Sequence, residues 1–222
     1  MNWQLALRLV AVAAFAYLTG GIPWALMIGK QFYKVDLRTE GSGNLGATNV
    51  LRVLGAKAAA ATLALDMAKG AAAVGLAVLL VPTVPFGVVA HEWAMILATM
   101  AAILGHSYSP YVRLRGGKGV ATAAGALLVL TPYPWPILLL TWLLVIALFR
   151  IVSLGSVVVA IEYPLLCVFF YPGDWLLIGF ATIAATLVVW RHRANIVRIV
   201  RGQEPRVSFK DRGSAARNKG GS

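Results

Sequence analysis

Four polar segments interrupt an otherwise apolar chain, and their residue types suit the binding of anions. The first, from Glu40 to Arg52, reads EGSGNLGATNVLR. Its glycines let the backbone approach a ligand closely, and Thr48 or Asn49 is expected to cap the helix that follows, with the positive helix end facing the same point. A phosphate-binding loop and a solvated turn between two helices fit these residues equally well. The candidate ligands are Ser42, Gly43, Asn44, Gly46, Thr48, Asn49 and Arg52.

The second segment reads GHSYSPYVRLRGGKGVATAAG and gives a stronger signal. RGGKG leads directly into a short apolar helix, so free N–H groups at the helix start and the side chains of Arg115 and Lys118 are expected to converge on one anion. It is not a P-loop, because Lys118 is followed by Gly119 instead of Ser or Thr. A basic anchor at the membrane surface is the alternative interpretation. The candidates are His106, Arg115, Gly116, Gly117, Lys118, Gly119 and Thr122, of which His106 alone is more typical of a capping histidine.

The third segment is RIVSLGS. Arg150, Ser153 and Ser156 follow one another at intervals of three, which places them on one face of a helical turn. Arginine and serine on one face offer hydrogen-bond donors to an anion. Ordinary helix capping explains the same short pattern, so this segment carries little weight alone.

The fourth segment, RHRANIVRIVRGQE, follows the last apolar stretch. His192, Asn195 and Arg198 are again three residues apart, so a helix would present them together to a second polar group. A positively charged flank that stops membrane insertion is an equally good interpretation.

Elsewhere in the chain, ionisable residues also fall within apolar stretches, among them Asp66, Lys69 and Glu162. Asp66 and Lys69 are close enough in sequence to pair on a helix, and burying such a pair in a membrane is costly, so we expect them to serve structure. Glu162 has no obvious local partner and is assigned no role.

The elements that position these segments are apolar runs long enough to cross a bilayer. Of 222 residues, 59% are hydrophobic and 13% charged, which predicts an all-α integral membrane protein. The one cysteine, Cys167, excludes an internal disulfide and fits a small buried side chain. Breaking the chain at polar and proline–glycine sites predicts seven transmembrane helices near 4–28, 58–81, 87–105, 119–131, 135–149, 155–171 and 175–190. The fourth is short for the ~20 residues of a full span.

Basic residues set the expected orientation. In a seven-span arrangement, 18 of the 20 Lys and Arg residues fall on one side. The positive-inside rule makes that side cytoplasmic, with the N-terminus outside and the C-terminus inside. The net charge of +12 is then explained by topology and by anionic lipids, and nucleic-acid binding is not expected. Residues 1–200 are expected to form one membrane domain, followed by a basic cytoplasmic tail, 201–222, with a disordered end.

Taken together, the segments carry a resemblance to a known family. SGNLGATNVLR, GH followed by RGGKGVAT, RIVSLGS and RHRANIVR occur in family order over nearly the whole chain, and LDMAKG also matches. The chain resembles the PlsY family of bacterial acyl-phosphate:glycerol-3-phosphate acyltransferases. One departure is Arg115, where the family commonly has lysine; the charge is kept, but a forked guanidinium replaces a point charge.

The resemblance implies transfer of a fatty acyl group from acyl phosphate to the 1-hydroxyl of sn-glycerol 3-phosphate, the first step of phospholipid biosynthesis. It implies a multi-pass protein of the bacterial inner membrane, with its active site facing the cytoplasm. The expected catalytic residues are Ser42, Arg52, Lys118, Ser153 and His192. Arg150, Ser156, Asn195 and the other candidates above are expected to bind substrate.

Other function classes fit less well. No metal or other cofactor is expected, because the three histidines and one cysteine are scattered and no carboxylates cluster with them. No obligatory protein partner is evident. A phosphate or organophosphate transporter is the main alternative, but an internal repeat and an inward-facing polar row are both missing. A non-catalytic lipid-binding scaffold leaves the glycine loops without a purpose.

Overall fold

The computed structural model describes residues 3–207, and every regular element in that range is helical, which confirms the all-α prediction. The helices are α1 (Trp3–Gly21), α2 (Trp24–Phe32), α3 (Ala47–Leu54), α4 (Ala56–Leu80), α5 (Thr83–Phe86), α6 (Val88–Ser107), α7 (Val120–Leu130), α8 (Trp135–Phe149), α9 (Val152–Phe170), α10 (Trp175–Arg191) and α11 (Arg193–Val200), with a 3-10 turn at Pro110–Val112.

Each of the seven apolar segments predicted from sequence contains a helix, but the first is not continuous. The span predicted near 4–28 corresponds to one candidate crossing, Trp3–Phe32, in which the helix is interrupted at Ile22 and Pro23, between α1 and α2. Proline lacks the N–H group needed to continue the helical hydrogen bonds, which accounts for the interruption. The short helices α3, α5 and α11 lie in stretches that the sequence analysis treated as connections.

Within residues 3–207, four helical stretches are long and apolar enough to cross a membrane: Trp3–Phe32, Ala56–Leu80, Val88–Val112 and Val152–Phe170. A fifth is counted if α10 and α11, which are bent by 61° at their junction, form one broken span. Helices α7 and α8 are apolar but shorter. With 11 residues, α7 is only about 16 Å long, against a hydrocarbon core of about 30 Å.

Small residues let the helices pack closely enough to position the polar segments. A Cβ atom on Gly125 of α7 would collide with the carbonyl oxygen of Met67 in α4, and one on Gly70 would collide with that of Thr122. Gly105 of α6 lies equally close to the carbonyl of Tyr17 in α1. Small residues at such interfaces are typical of membrane helices, which gain little from hydrophobic burial in lipid. The result is a rigid α1–α4–α6–α7 unit.

The segment after α11 folds back toward the start of α9. The amide of Val207 donates to the carbonyl of Arg150 (2.8 Å), and both Glu204 and Val207 are buried. The first seven residues of the expected tail are therefore described, and Glu204 and Val207 pack against the domain. The rest of that tail, 208–222, lies outside the described residues.

Candidate active site

Glu204 is the centre of a polar cluster to which three parts of the chain contribute. Its Oε1 accepts hydrogen bonds from Ser153 Oγ (2.8 Å) and Asn195 Nδ2 (2.6 Å), and its Oε2 accepts one from Arg198 Nε (2.6 Å). Lys118 Nζ donates to the Oδ1 of Asn195. The glycine loop before α7, the start of α9 and helix α11 therefore meet at one place, as their shared predicted function requires.

Two more arginines border this cluster. Arg52, on α3, reaches the carbonyl of Pro205 (3.5 Å), and Arg191, at the end of α10, donates to the carbonyl of Gly117 (2.6 Å). In both guanidinium groups Nε is buried and, within residues 3–207, bonds to no other group. Both cations therefore keep unused donor capacity beside Lys118.

The charges in the cluster alter its acid–base properties. Burial lowers the pKa of Lys118 to about 8; the Glu204 carboxylate opposes this shift, and the neighbouring arginines add to it. Burial by itself would raise the pKa of Glu204, but hydrogen bonds from Asn195, Arg198 and Ser153 outweigh it and leave the pKa below its usual value. At neutral pH the cluster therefore holds one carboxylate among several cations.

His192 lies at the junction of α10 and α11, buried, with Nδ1 2.8 Å from the carbonyl oxygen of Val188. A carbonyl only accepts hydrogen bonds, so Nδ1 carries the proton in this contact. In the neutral ring Nε2 is then an acceptor, suited to a hydroxyl group. Asn195 and Arg198 lie together on α11, as the spacing predicted, whereas His192 flanks that helix at its N-terminal end.

The opening loop is held by Asn49, and its helix starts earlier than expected. Asn49 Oδ1 accepts from the amide of Ser42 (2.9 Å), and Nδ2 donates to the carbonyl of Glu40 (3.1 Å). The prediction that Thr48 or Asn49 caps this helix is wrong: α3 begins at Ala47, after Gly46, so both residues lie inside its first turn. Asn49 is nevertheless buried and orders the loop.

The loop's candidate ligands differ in exposure. Ser42 and Gly43 are exposed, and Asn44, Gly46 and Thr48 are partly buried. Gly43 has φ +67°, a conformation that other residues adopt at a cost. Ser42 belongs to the same polar segment as Arg52, which lies on α3. Within residues 3–207, the Ser42 side chain makes no direct bond to the Glu204 cluster.

The backbone amides of the glycine loop before α7 are only partly free. Gly116 N donates to the carbonyl of Ser107 (3.2 Å) and Gly117 N to that of His106 (3.1 Å), so these two N–H groups are already used. Both residues precede the start of α7 at Val120, where the free N–H groups are predicted. In the described part of the chain, the amides of Lys118 and Gly119 have no acceptor, and they remain the loop's available backbone donors.

The other candidates of this segment lie at different depths. Arg115 is exposed. Thr122 is buried on α7, and its hydroxyl has no partner in the range 3–207. His106 is buried beneath the loop and faces Asp66, at 3.7 Å between Nδ1 and Oδ1.

The third segment is only partly as expected. Ser153 and Ser156 are both buried on α9, and Ser156 Oγ bonds to the carbonyl of Val152 in its own helix (3.0 Å). The prediction that Arg150 shares their helical face is wrong. Arg150 ends α8 in a left-handed conformation (φ 59°), and α9 starts only at Val152, so its exposed side chain leaves from a separate point.

Two residues of the cluster were missed from the sequence. Glu204 was assigned to the tail, and Arg191 was counted only as a basic flank. The available signal for Glu204 was its position as a single carboxylate within a strongly basic stretch, 191–206. A lone acidic residue among arginines is a candidate for ion pairing, because isolated buried cations are costly.

Within residues 3–207, apolar helices carry a cluster of arginine, lysine, serine and asparagine side chains at their ends. This arrangement is that of an integral membrane protein with a candidate site for anionic groups. The family model described as glycerol-3-phosphate acyltransferase matches residues 10–202. The chain belongs to this acyltransferase family, and the transporter alternative is not supported.

Curated relatives carry the same description along nearly their whole length. A glycerol-3-phosphate acyltransferase of Listeria monocytogenes serovar 1/2a is 41% identical over 205 residues, which cover 92% of this chain and 100% of the relative. One of Ralstonia pickettii is 43% identical over 201 residues, covering 90% and 95%.

Two solved structures share the fold. Both are crystal structures of PlsY, an integral membrane glycerol 3-phosphate acyltransferase. Its glycerol 3-phosphate form matches with a TM-score of 0.80 and 34% identity, covering 90% of this chain and 96% of that one. Its lysophosphatidic acid form matches with a TM-score of 0.78, 33% identity and the same coverage.

Proposed function

We propose that this protein transfers a fatty acyl group from an acyl phosphate to the 1-hydroxyl of sn-glycerol 3-phosphate, giving lysophosphatidic acid and inorganic phosphate. The observation that carries the proposal is the meeting of Lys118, Asn195 and Ser153 around Glu204, bordered by Arg52 and Arg191. Both substrates and one of the products carry phosphate groups, which guanidinium and ammonium groups bind through charge-assisted hydrogen bonds.

The acyl phosphate is assigned to the cationic part of the cluster. Arg52 and Lys118, with Ser153, stabilise the phosphate as it leaves and the negative charge that develops on the carbonyl oxygen. The hydroxyls of Ser42 and Ser156 and the exposed guanidinium of Arg115 complete this set. The acyl tail extends among the apolar helices, while the head group stays at the aqueous surface beside membrane lipids.

Glycerol 3-phosphate is assigned to His192, Asn195 and Asn44. The Nε2 acceptor of His192 orients the 1-hydroxyl toward the acyl carbon, and holding the two substrates in contact removes much of the barrier. The hydroxyl oxygen bonds to the acyl carbon, the bond from that carbon to the phosphate oxygen breaks, and the hydroxyl proton passes to the leaving phosphate. No protein nucleophile or cofactor takes part.

The finer topology belongs to the same proposal. Seven membrane crossings, with α7 as a short one, place the N-terminus outside and all four polar segments on the cytoplasmic side of a bacterial inner membrane. The grouping of basic residues on one side of this arrangement supports it. Cysteines introduced at Ser42 and Thr83, both exposed, should react with an impermeant maleimide from opposite sides; reaction from one side contradicts the arrangement.

The reaction is tested with purified protein in detergent, supplied with glycerol 3-phosphate and one of three acyl donors: palmitoyl phosphate, acyl-CoA or acylated acyl carrier protein. We expect lysophosphatidic acid to form and phosphate to be released with palmitoyl phosphate only. Lys118→Ala and His192→Ala should each lower kcat/KM at least about a hundredfold, the scale of losing one preorganised electrostatic contact.

Lys57→Ala is the matched control for Lys118→Ala, since Lys57 is an exposed lysine at the start of α4. Its activity should equal that of the unmodified protein. Full activity in both site variants would remove the proposed site, and turnover with a thioester donor would assign a different acyl source.

A further inference from the structure

A buried charged cluster lies beneath the glycine loop, and the transfer chemistry described above makes no use of it. On α4, Lys69 Nζ lies 2.8 Å from Asp66 Oδ1. From the end of α6, His106 Nδ1 lies 3.7 Å from the same oxygen. Asp66 is 1% exposed, and Lys69 and His106 are each 6% exposed, so the cluster is almost fully buried; Lys69 and His106 line a small cavity together with Gly116 and Gly117.

The cluster touches the loop through His106. A Cβ atom on Gly117 would collide with the Nε2 of the His106 ring, so the ring lies directly against the backbone of that glycine. The His106 carbonyl accepts from the Gly117 amide (3.1 Å) and would collide with a Cβ on Gly116. Both the ring and the backbone of His106 thus fix the two residues that precede Lys118.

Lys69 extends the cluster to the break between α1 and α2. Its Nζ donates to the carbonyl of Ile22 (2.8 Å), a group that the end of α1 leaves without a helical partner. Ser109 Oγ donates to the neighbouring carbonyl of Gly21 (2.6 Å). The contacts therefore join the α1–α2 break, α4, α6 and the glycine loop in one unit.

Burying the Asp66–Lys69 ion pair of α4 at this position costs free energy. Ionisable groups within membrane spans are costly, and well-packed apolar side chains often stabilise as much as a buried pair does. In addition, Asp66 Oδ2 makes no hydrogen bond in the part of the chain that the structure describes. The contact between Asp66 and His106 gives a reason for burying the pair despite this free-energy cost, because a carboxylate beside an imidazole ring sets its orientation.

We propose that Asp66, Lys69 and His106 are positioning residues that hold Gly116 and Gly117, and thereby Lys118, in the geometry that binds a substrate phosphate. Asp66 orients the His106 ring, Lys69 anchors Asp66, and His106 acts through Gly117 without touching substrate. This inference rests on the proposed transferase function and assigns His106 a different role from the direct substrate contact expected from sequence.

Two substitutions of His106 separate its contact with Asp66, made by Nδ1, from its contact with Gly117, made by Nε2. His106→Asn keeps an amide nitrogen near the position of Nδ1 but removes the ring atoms under Gly117; His106→Gln places an amide near the position of Nε2. With His106→Asn we expect KM for one of the two phosphorylated substrates to rise about tenfold, the scale of one lost charge-assisted hydrogen bond.

The KM for the other substrate should stay within about twofold, whereas kcat should also fall, because Lys118 stabilises the charge that develops on the leaving phosphate. His106→Gln should bring the raised KM back to within about threefold of the unmodified protein. Asp66→Asn should raise the same KM, since a neutral amide orients the ring less strongly.

Glu162→Gln is the matched control. It removes a carboxylate within another span, α9, where Glu162 Oε1 accepts from Thr141 Oγ1 (3.0 Å), far in sequence from the loop. Both KM values should be unchanged in this variant, whatever happens to its thermal stability.

A lower melting temperature in Asp66→Asn and His106→Asn with both KM values unchanged would overturn the proposal, because it would leave only a packing role. If Asp66→Asn does not fold, the two His106 variants decide. Inactivity of the unmodified protein with palmitoyl phosphate would refute the proposed function itself, whereas an active protein with unmoved KM values refutes the positioning role alone.

Discussion

The lowered pKa of Lys118 leads to a specific pH dependence of activity. A lysine with a pKa of about 8 is roughly nine-tenths protonated at pH 7 and roughly one-tenth at pH 9. If the ammonium form is needed to bind phosphate, kcat/KM must fall about tenfold over this interval. The substrate does not cause this fall, because a phosphate monoester with a second pKa near 6 stays a dianion throughout.

Glu204→Gln tests the cause of that pKa. The Glu204 carboxylate raises the pKa of Lys118, opposing burial and the neighbouring arginines, so its removal must lower this pKa further. The alkaline limb of the kcat/KM profile should therefore move to lower pH. In Lys118→Arg, the alkaline fall of kcat/KM should be absent up to about pH 10, because arginine stays charged over this range.

The assay is release of inorganic phosphate at subsaturating substrate between pH 6 and pH 10, since kcat/KM reports the free enzyme. In the kcat profile the limb should lie at higher pH, because a bound phosphate favours the charged lysine. Glu40→Gln removes an exposed carboxylate of the first polar connection and should leave the profile unchanged. A Glu204→Gln limb at the same pH as that of the unmodified protein would refute the reasoning.

Three further substitutions have expected outcomes that follow from close contacts. Gly117→Ala should lower kcat/KM at least about tenfold without changing helix content by circular dichroism, because its methyl group would meet the His106 ring. Gly125→Ala should lower the melting temperature in detergent by several degrees, because its Cβ meets the carbonyl of Met67 where α7 crosses α4; an unchanged melting temperature would contradict this packing. Asn49→Ala removes the acceptor and donors that hold the opening loop and should speed proteolysis there, with a cost of about 1–3 kcal/mol in unfolding free energy; an unchanged cleavage rate would contradict its bridging role.

The helices were predictable because lipid and backbone chemistry leave few choices. A long apolar run in a membrane must satisfy its backbone hydrogen bonds internally, so it forms a helix. Proline and glycine mark the ends, and the predicted segment 135–149 coincides with α8 (Trp135–Phe149). The interruption at Pro23 was not predicted, because the apolar run continues through it and hydropathy does not report a break in the backbone hydrogen bonds.

The candidate cluster was predictable only in part, because residue spacing describes neighbours within one helix. The spacing of Ser153 and Ser156, and of Asn195 and Arg198, placed each pair correctly on its own helix. The bond from Ser153 to Glu204 spans 51 residues, and no local pattern indicates it. It depends on the 61° bend after α10 and on the return of the chain to the start of α9.

The charge balance of the cluster explains why the proposed chemistry needs no protein nucleophile. Lys118, Arg52, Arg191 and Arg198 surround a single carboxylate, Glu204, so the ligand-free protein carries excess positive charge at a partly buried place. The lowered pKa of Lys118 reflects both its burial and this mutual repulsion. Bound phosphate would relieve the repulsion, and it would do so most where charge accumulates on the leaving group. Because an acyl phosphate is already activated, this electrostatic stabilisation and the proposed alignment of the glycerol hydroxyl by His192 would supply what the reaction lacks in water.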